Sequence, residues 1–120
     1  MDDLRLCESD HRFMTVVWDH EPVSSGQLVK LCQDKLGWKK STTYTVLKRL
    51  CDKGLFQNQK GVVTSLISRE DFYALQSERF VEETFRGSLP AFLAAFTAKK
   101  KLTAEEVALL RRMVDEYKEE

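Results

Sequence analysis

Proline and glycine are scarce in this chain, with two prolines and five glycines among 120 residues. That leaves little room for long flexible linkers, and the length fits one domain, or one small domain with an appendage. No apolar run reaches the roughly 18 residues that a membrane helix needs, so no membrane insertion is expected. The N-terminal Met1-Asp2-Asp3-Leu4-Arg5 lacks the basic-then-apolar order of a signal peptide, and a cytoplasmic protein is expected. Cysteine is sparse too. Cys7, Cys32 and Cys51 are widely spaced, form no C-x-x-C pair, and complete no metal-ligand pattern with His11 and His20. The expectation is reduced packing thiols, no metal and no cofactor. Also missing are a Gly-rich phosphate loop, a paired His–carboxylate cluster and a nucleophile motif. No catalytic residue is assigned, and an enzyme is not expected.

Net charge is absent as well: 19 cations balance 19 anions. The balance is not uniform. From Lys35 to Lys60 there are seven cations (Lys35, Lys39, Lys40, Lys48, Arg49, Lys53 and Lys60) against the single anion Asp52. Most acids lie before Pro22 or after Arg69. A neutral chain with one concentrated basic segment can bind a polyanion while its affinity for arbitrary polyanion stays low.

Within that segment, Ser41 to Asp52 reads as an amphipathic helix ending at Gly54. Val46, Leu47 and Leu50 recur at helical spacing, with Thr43 on the same side, and define a buried stripe. The opposite face carries Ser41, Thr45, Lys48 and Asp52, flanked by Tyr44 and Arg49. Hydroxyls, an aromatic and cations on one helix face suit a DNA major groove, where they donate to base edges and neutralise phosphates. An ordinary solvated helix surface has a similar composition, so the neighbouring elements matter.

Those neighbours have a recognisable order. Glu8 to Asp19 reads as a first helix with Phe13, Val16 and Val17 on its apolar face; His20-Glu21-Pro22-Val23 ends it. Ser24 and Gln27 form a capping-box pattern for a second helix to about Leu36, with Leu28, Leu31 and Cys32 facing inward and Gly37 as its stop. Trp38-Lys39-Lys40 is the turn, and Ser41 or Thr42 is the expected cap of the third helix. Leu55 to Gln59 and Val62 to Ile67 read as strands around a tight Lys60-Gly61 turn. Three helices and a hairpin make a winged helix-turn-helix, expected over residues 1–68.

Residues 69–120 read as a helical domain. Ser68 caps a helix that Gly87 stops, Ser88-Leu89-Pro90 opens a short one, and Thr103 to Glu106 is a capping box for the last. About fifty residues in this form enclose little core. Phe80, Phe85, Leu89, Phe92, Leu93, Phe96, Leu110 and Val114 therefore call for a partner surface, and a second copy of the chain is the simplest one. The fold class is thus mostly α with a small β-hairpin: a winged helix-turn-helix plus a C-terminal helical dimerisation domain.

At this point the chain resembles the penicillinase-repressor family of bacteria, the BlaI/MecI type. The matching words are Phe13 to Asp19, Thr42 to Leu50 with Lys53-Gly54-Leu55, Phe85-Arg86-Gly87-Ser88, and Leu102 to Val107. The resemblance implies a cytoplasmic homodimeric repressor that binds a palindromic double-stranded operator with TACA-type half-sites. It implies that Ser41, Thr42, Tyr44, Thr45 and Lys48 face DNA, that Arg49 and Lys39 or Lys40 meet phosphates, and that Lys60 reaches the backbone beside the wing. It further implies release by a membrane sensor protease. The family's Asn-Phe cleavage pair corresponds to Ala95-Phe96 here, with the phenylalanine present and the asparagine absent. No cysteine follows Cys51, so the C-terminal C-x-C motif of copper-responsive relatives is absent. The competing class is a winged-helix protein-interaction module without DNA binding. Its surface would more often expose Leu or Phe where this helix places hydroxyls and Lys48.

Overall fold

The computed structural model describes residues 8–119, so Cys7 and its expected packing role lie outside the described residues. The order is α1 (Glu8–His20), β1 (Val23–Ser24), α2 (Ser25–Leu36), α3 (Lys40–Asp52), β2 (Phe56–Gln59), β3 (Val62–Ser65), α4 (Arg69–Phe85), α5 (Leu89–Thr97) and α6 (Ala104–Glu116). Three helices packed with a small antiparallel sheet form a winged helix, and three further helices follow.

Local chemistry sets most boundaries. The Ser24 hydroxyl accepts from the Gln27 amide and starts α2, while Gly37 ends it in the left-handed conformation at φ 70°, which a side chain would disfavour. The hairpin register pairs Gln59 with Val62, leaving Lys60-Gly61 as a two-residue turn with both φ values positive. That geometry matches the twist of the flanking strands.

Three details differ from the sequence reading. First, β1 completes a three-stranded sheet in the order β1-β3-β2, with Val23 opposite Val63. Two residues carry no readable periodicity; only pairing with β3 makes them a strand. Second, α3 begins at Lys40, with Lys39 in the extended N-cap position and no side-chain cap, rather than at a Ser41 or Thr42 cap. Packing explains the early start. Trp38 stacks on Phe13 with ring centroids 5.7 Å apart, so tertiary contact fixes the chain's entry into the helix. Third, β3 ends at Ser65, and the backbone of Leu66 turns to donate to the Leu55 carbonyl at 2.8 Å.

The core of the winged helix is one cluster. Phe13, Met14 and Val17 of α1 meet Leu28 and Cys32 of α2, Leu50 of α3, Phe56 of β2 and Val63 of β3, all fully buried. Trp18 sits at its edge and donates its indole N–H to the Ile67 carbonyl at 3.1 Å. Phe72 of α4 is buried beside it.

By its contacts the chain falls into two compact units that divide within α4, the first ending at Gln76 and the second beginning at Ser77. The second unit has no fully buried residue on α5 or α6. Its apolar interior is an aromatic cluster in which Phe80, Phe85 and Phe92 meet edge to face at 5.7–5.9 Å, with Phe96 6.0 Å from Phe92. Among the described residues no helix is long and apolar enough to cross a membrane.

Candidate nucleic-acid interface

The third helix divides as its pattern requires. Thr43, Val46, Leu47 and Leu50 are buried against α1, α2 and the sheet. Ser41, Thr42, Tyr44, Thr45, Lys48, Arg49 and Asp52 all lie on the exposed side. Lys39 and Lys40 are exposed at the N-terminal end of the helix, presented outward because Trp38 is turned inward onto Phe13. Lys60 is exposed at the hairpin tip. Every residue expected at a DNA surface is thus accessible on the winged-helix unit.

Two of the α3 cations are not bare. The Arg49 guanidinium pairs with Asp10 of α1, whose side chain is only 6% exposed. Lys48 Nζ donates to Asp52 Oδ2 at 3.2 Å, with both side chains well exposed. Arg49, the residue expected on phosphate, keeps a 45% exposed side chain while its guanidinium pairs with Asp10, which ties α3 to α1 across 39 residues of sequence. The guanidinium offsets part of the cost of holding that carboxylate out of water.

The wing contributes residues that sequence reasoning left without a role. Asn58 of β2 lines a hollow of about 250 Å³ together with Tyr44, Leu47, Lys48 and Cys51 of α3. Its side-chain oxygen also accepts from the Gly61 amide at 3.1 Å, which braces the turn. The run Gln57-Asn58-Gln59 was a visible signal, since amide side chains both donate and accept. Gln57 is instead spent within the sheet, donating to Thr64 Oγ1 at 3.1 Å.

Burial pushes the Cys51 thiol above the usual range, with the neighbouring Asp52 carboxylate adding to the shift; burial does the same to Cys32, opposed by a hydrogen bond from Thr43. Among the described residues no group of three His, Cys, Asp or Glu side chains is arranged to hold a metal ion. His20 Nδ1 lies 2.8 Å from the Val16 carbonyl and His11 Nε2 lies 3.0 Å from the Tyr73 hydroxyl.

In the second unit, Phe80, Leu89, Leu93, Phe96 and Val114 are exposed, while Phe85, Phe92 and Leu110 are half-buried. Leu109, Met113 and Tyr117 are also exposed on or just beyond α6. Ala95 and Phe96 are both exposed on α5.

The sequence profile of a family described as "Penicillinase repressor" matches residues 6–116. The chain belongs to the penicillinase-repressor family. It is similar to the penicillinase repressor of Bacillus licheniformis, 25% identical over 118 residues, covering 95% of this chain and 92% of the relative. It is also similar to the methicillin resistance regulatory protein MecI of Staphylococcus aureus strain Mu50, 22% identical over 114 residues, covering 92% and 93%. The MecI protein of Mammaliicoccus sciuri is 21% identical over the same length. The family consists of transcriptional repressors, not enzymes, so the exposed α3 face belongs to a regulator of transcription.

Proposed function

We propose that this repressor acts as a homodimer on a palindromic double-stranded operator, with α3 in the major groove. The carrying observation is the outer face of α3, where Tyr44, Thr45 and Lys48 stand exposed on a helix whose other face is locked into the core. Ser41 and Thr42 extend the hydroxyl surface toward the N-terminus of that helix. Lys39, Lys40 and the hairpin-tip Lys60 supply phosphate contacts on either side, and Asn58 joins them from the wing. Residues 1–68 form the DNA-binding domain in this reading and residues 69–120 the dimerisation domain. The exposed apolar side chains of α5 and α6 support a second copy as the partner, since a soluble surface rarely carries so many together.

Release follows from the same architecture. A membrane sensor protease that cuts at Ala95-Phe96 would sever α5 between Phe92 and Phe96, and so divide the aromatic cluster and separate most of it from the last helix. The DNA-facing residues would remain untouched, while the dimer that gives operator occupancy would be lost.

Gel-shift titration against the inverted repeat upstream of the gene tests the reading. Lys48→Ala is expected to weaken operator binding by about 1–3 kcal/mol if its ammonium meets a base edge. Lys40→Ala is expected to weaken operator and unrelated duplex alike, and to flatten the salt dependence. Unchanged operator binding by Lys48→Ala would remove α3 from the groove.

A further inference from the structure

Asp52 is poorly placed for the helix that carries it. It is the last residue of α3, where the carbonyl end of the helix dipole disfavours an anion. In its i,i+4 pair with Lys48 the cation comes first in the chain, which is the weaker of the two orders. Both side chains are exposed, 78% for Lys48 and 66% for Asp52, so the pair is screened by water and contributes little to stability. A residue that breaks local rules with no evident gain in stability points to function.

The neighbouring cation sharpens the point. Arg49 also holds an intramolecular carboxylate, Asp10, delivered from α1. Two adjacent cations toward the C-terminal end of the exposed face are therefore each set against a carboxylate, although the sequence shows the segment as a dense positive run. Asp10 is fixed in the core and cannot leave. Asp52 is on the surface and can be exchanged for another acceptor.

We propose that Asp52 is a specificity-determining residue, which restrains Lys48 on arbitrary DNA and releases it at a matching G·C pair. The inference rests on α3 being the DNA-facing helix. On arbitrary DNA, Lys48 reaches a phosphate only by giving up its carboxylate, which then faces the polyanion itself. Exchanging one anion for another neutralises no additional phosphate, so no counterion is released and no affinity is gained. At a G·C pair both members of the couple find partners: guanine O6 and N7 accept from the Lys48 ammonium, and the Asp52 carboxylate accepts from the cytosine N4 amino group. The pair is then replaced bond for bond, and only there.

The test uses the full chain and two duplexes: one that the wild type selects from a random pool, and a scrambled duplex of equal length. Affinities are read by fluorescence anisotropy over a salt series for the wild type, Asp52→Asn, and the double variant Lys48→Ala with Asp52→Asn. Freeing one cation for a phosphate steepens the salt slope by about 0.9, which at 0.1 M salt is about an eightfold gain in affinity. That gain is expected for Asp52→Asn on the scrambled duplex, with selected-duplex affinity unchanged or lower, so discrimination falls at least as far. The double variant is expected to return to the wild-type slope, because the effect acts through Lys48. Equal tightening on both duplexes, no tightening on either, or a steep slope that survives in the double variant would each overturn the role of Asp52 while leaving the DNA reading intact. A wild type that selects no duplex would overturn the DNA reading itself, in an arm that contains no variant.

Discussion

Arg49 and Lys48 are adjacent cations with different duties, and substitution separates them. Arg49 compensates Asp10, whose side chain is 6% exposed. Arg49→Ala removes that charge-assisted hydrogen bond and is expected to lower stability by about 1.5–3 kcal/mol, the range for a hydrogen bond to a charged group. Urea unfolding would show it as a lower midpoint with the same slope. The Lys48 side chain is 78% exposed and its ion pair is with the well-exposed Asp52, so Lys48→Ala is expected to stay within about 0.5 kcal/mol of the wild type. The thiols give a second residue-level expectation. Burial raises both Cys32 and Cys51, and the thiolate is the reactive form. At neutral pH the native protein is expected to alkylate Cys51 slowly and Cys32 only on unfolding, as peptide mapping after timed iodoacetamide treatment would reveal. Fast labelling of Cys32 would mean that the α2 core opens readily.

Among the elements, α6 depends on its first turn. The Thr103 hydroxyl accepts from the Glu106 amide at 3.0 Å while the Glu106 carboxylate accepts from the Thr103 amide at 2.8 Å. Thr103→Ala is expected to cost about 0.5–2 kcal/mol of helix stability, visible as a lower thermal midpoint by circular dichroism. The pH dependence has a definite sign. The Thr103 backbone N–H, then its hydroxyl, holds the Glu106 carboxyl below the usual glutamate range. A depressed folded value means that the contribution is complete above the ordinary glutamate value and is lost as pH falls through the folded one. Acidification from pH 6 toward pH 3 is therefore expected to fray α6, and Glu106→Gln is expected to flatten that part of the titration.

At the scale of the whole molecule, the proposed dimer would draw its affinity from joining two weak readers. In that reading one winged helix covers one half-site, and a linked pair makes the second contact intramolecular, which raises apparent affinity by about 10²–10⁴-fold. Val114→Asp, placed on a residue that is 74% exposed in the single chain, is expected to leave the fold intact and dissociate the dimer. Sedimentation should then report a monomer, and operator binding should weaken by a factor in that range. A truncated chain of residues 1–80 is expected to behave alike. A monomeric form that holds the full palindrome as tightly as the intact protein would sink the dimer mechanism. Stoichiometric zinc or copper is expected to leave operator affinity unchanged, since the described residues contain no ligand group; release by metal in the presence of reductant would contradict this.

The order of helices and hairpin, the caps at Ser24 and Thr103, and the two faces of α3 were legible in the residues because each is decided within a few positions. A hydroxyl reaches an amide three residues on, and a stripe repeats every turn. What the tertiary structure alone decided spans distance. β1 is a strand only because β3 lies beside it, and α3 starts at Lys40 because Trp38 is stacked on Phe13. Asp10 is an unremarkable acid in the first turn of α1 until folding brings it to Arg49. Asn58 is one polar residue in a strand until the hairpin swings it beside Tyr44 and Lys48. Charge is the sharpest case: counting residues shows a dense positive run, whereas the fold brings the carboxylate of Asp10 against Arg49 from another helix. Local pattern decides which side of a helix faces out and sets Asp52 one turn from Lys48; packing between elements remote in the chain is what brings Asp10 to Arg49.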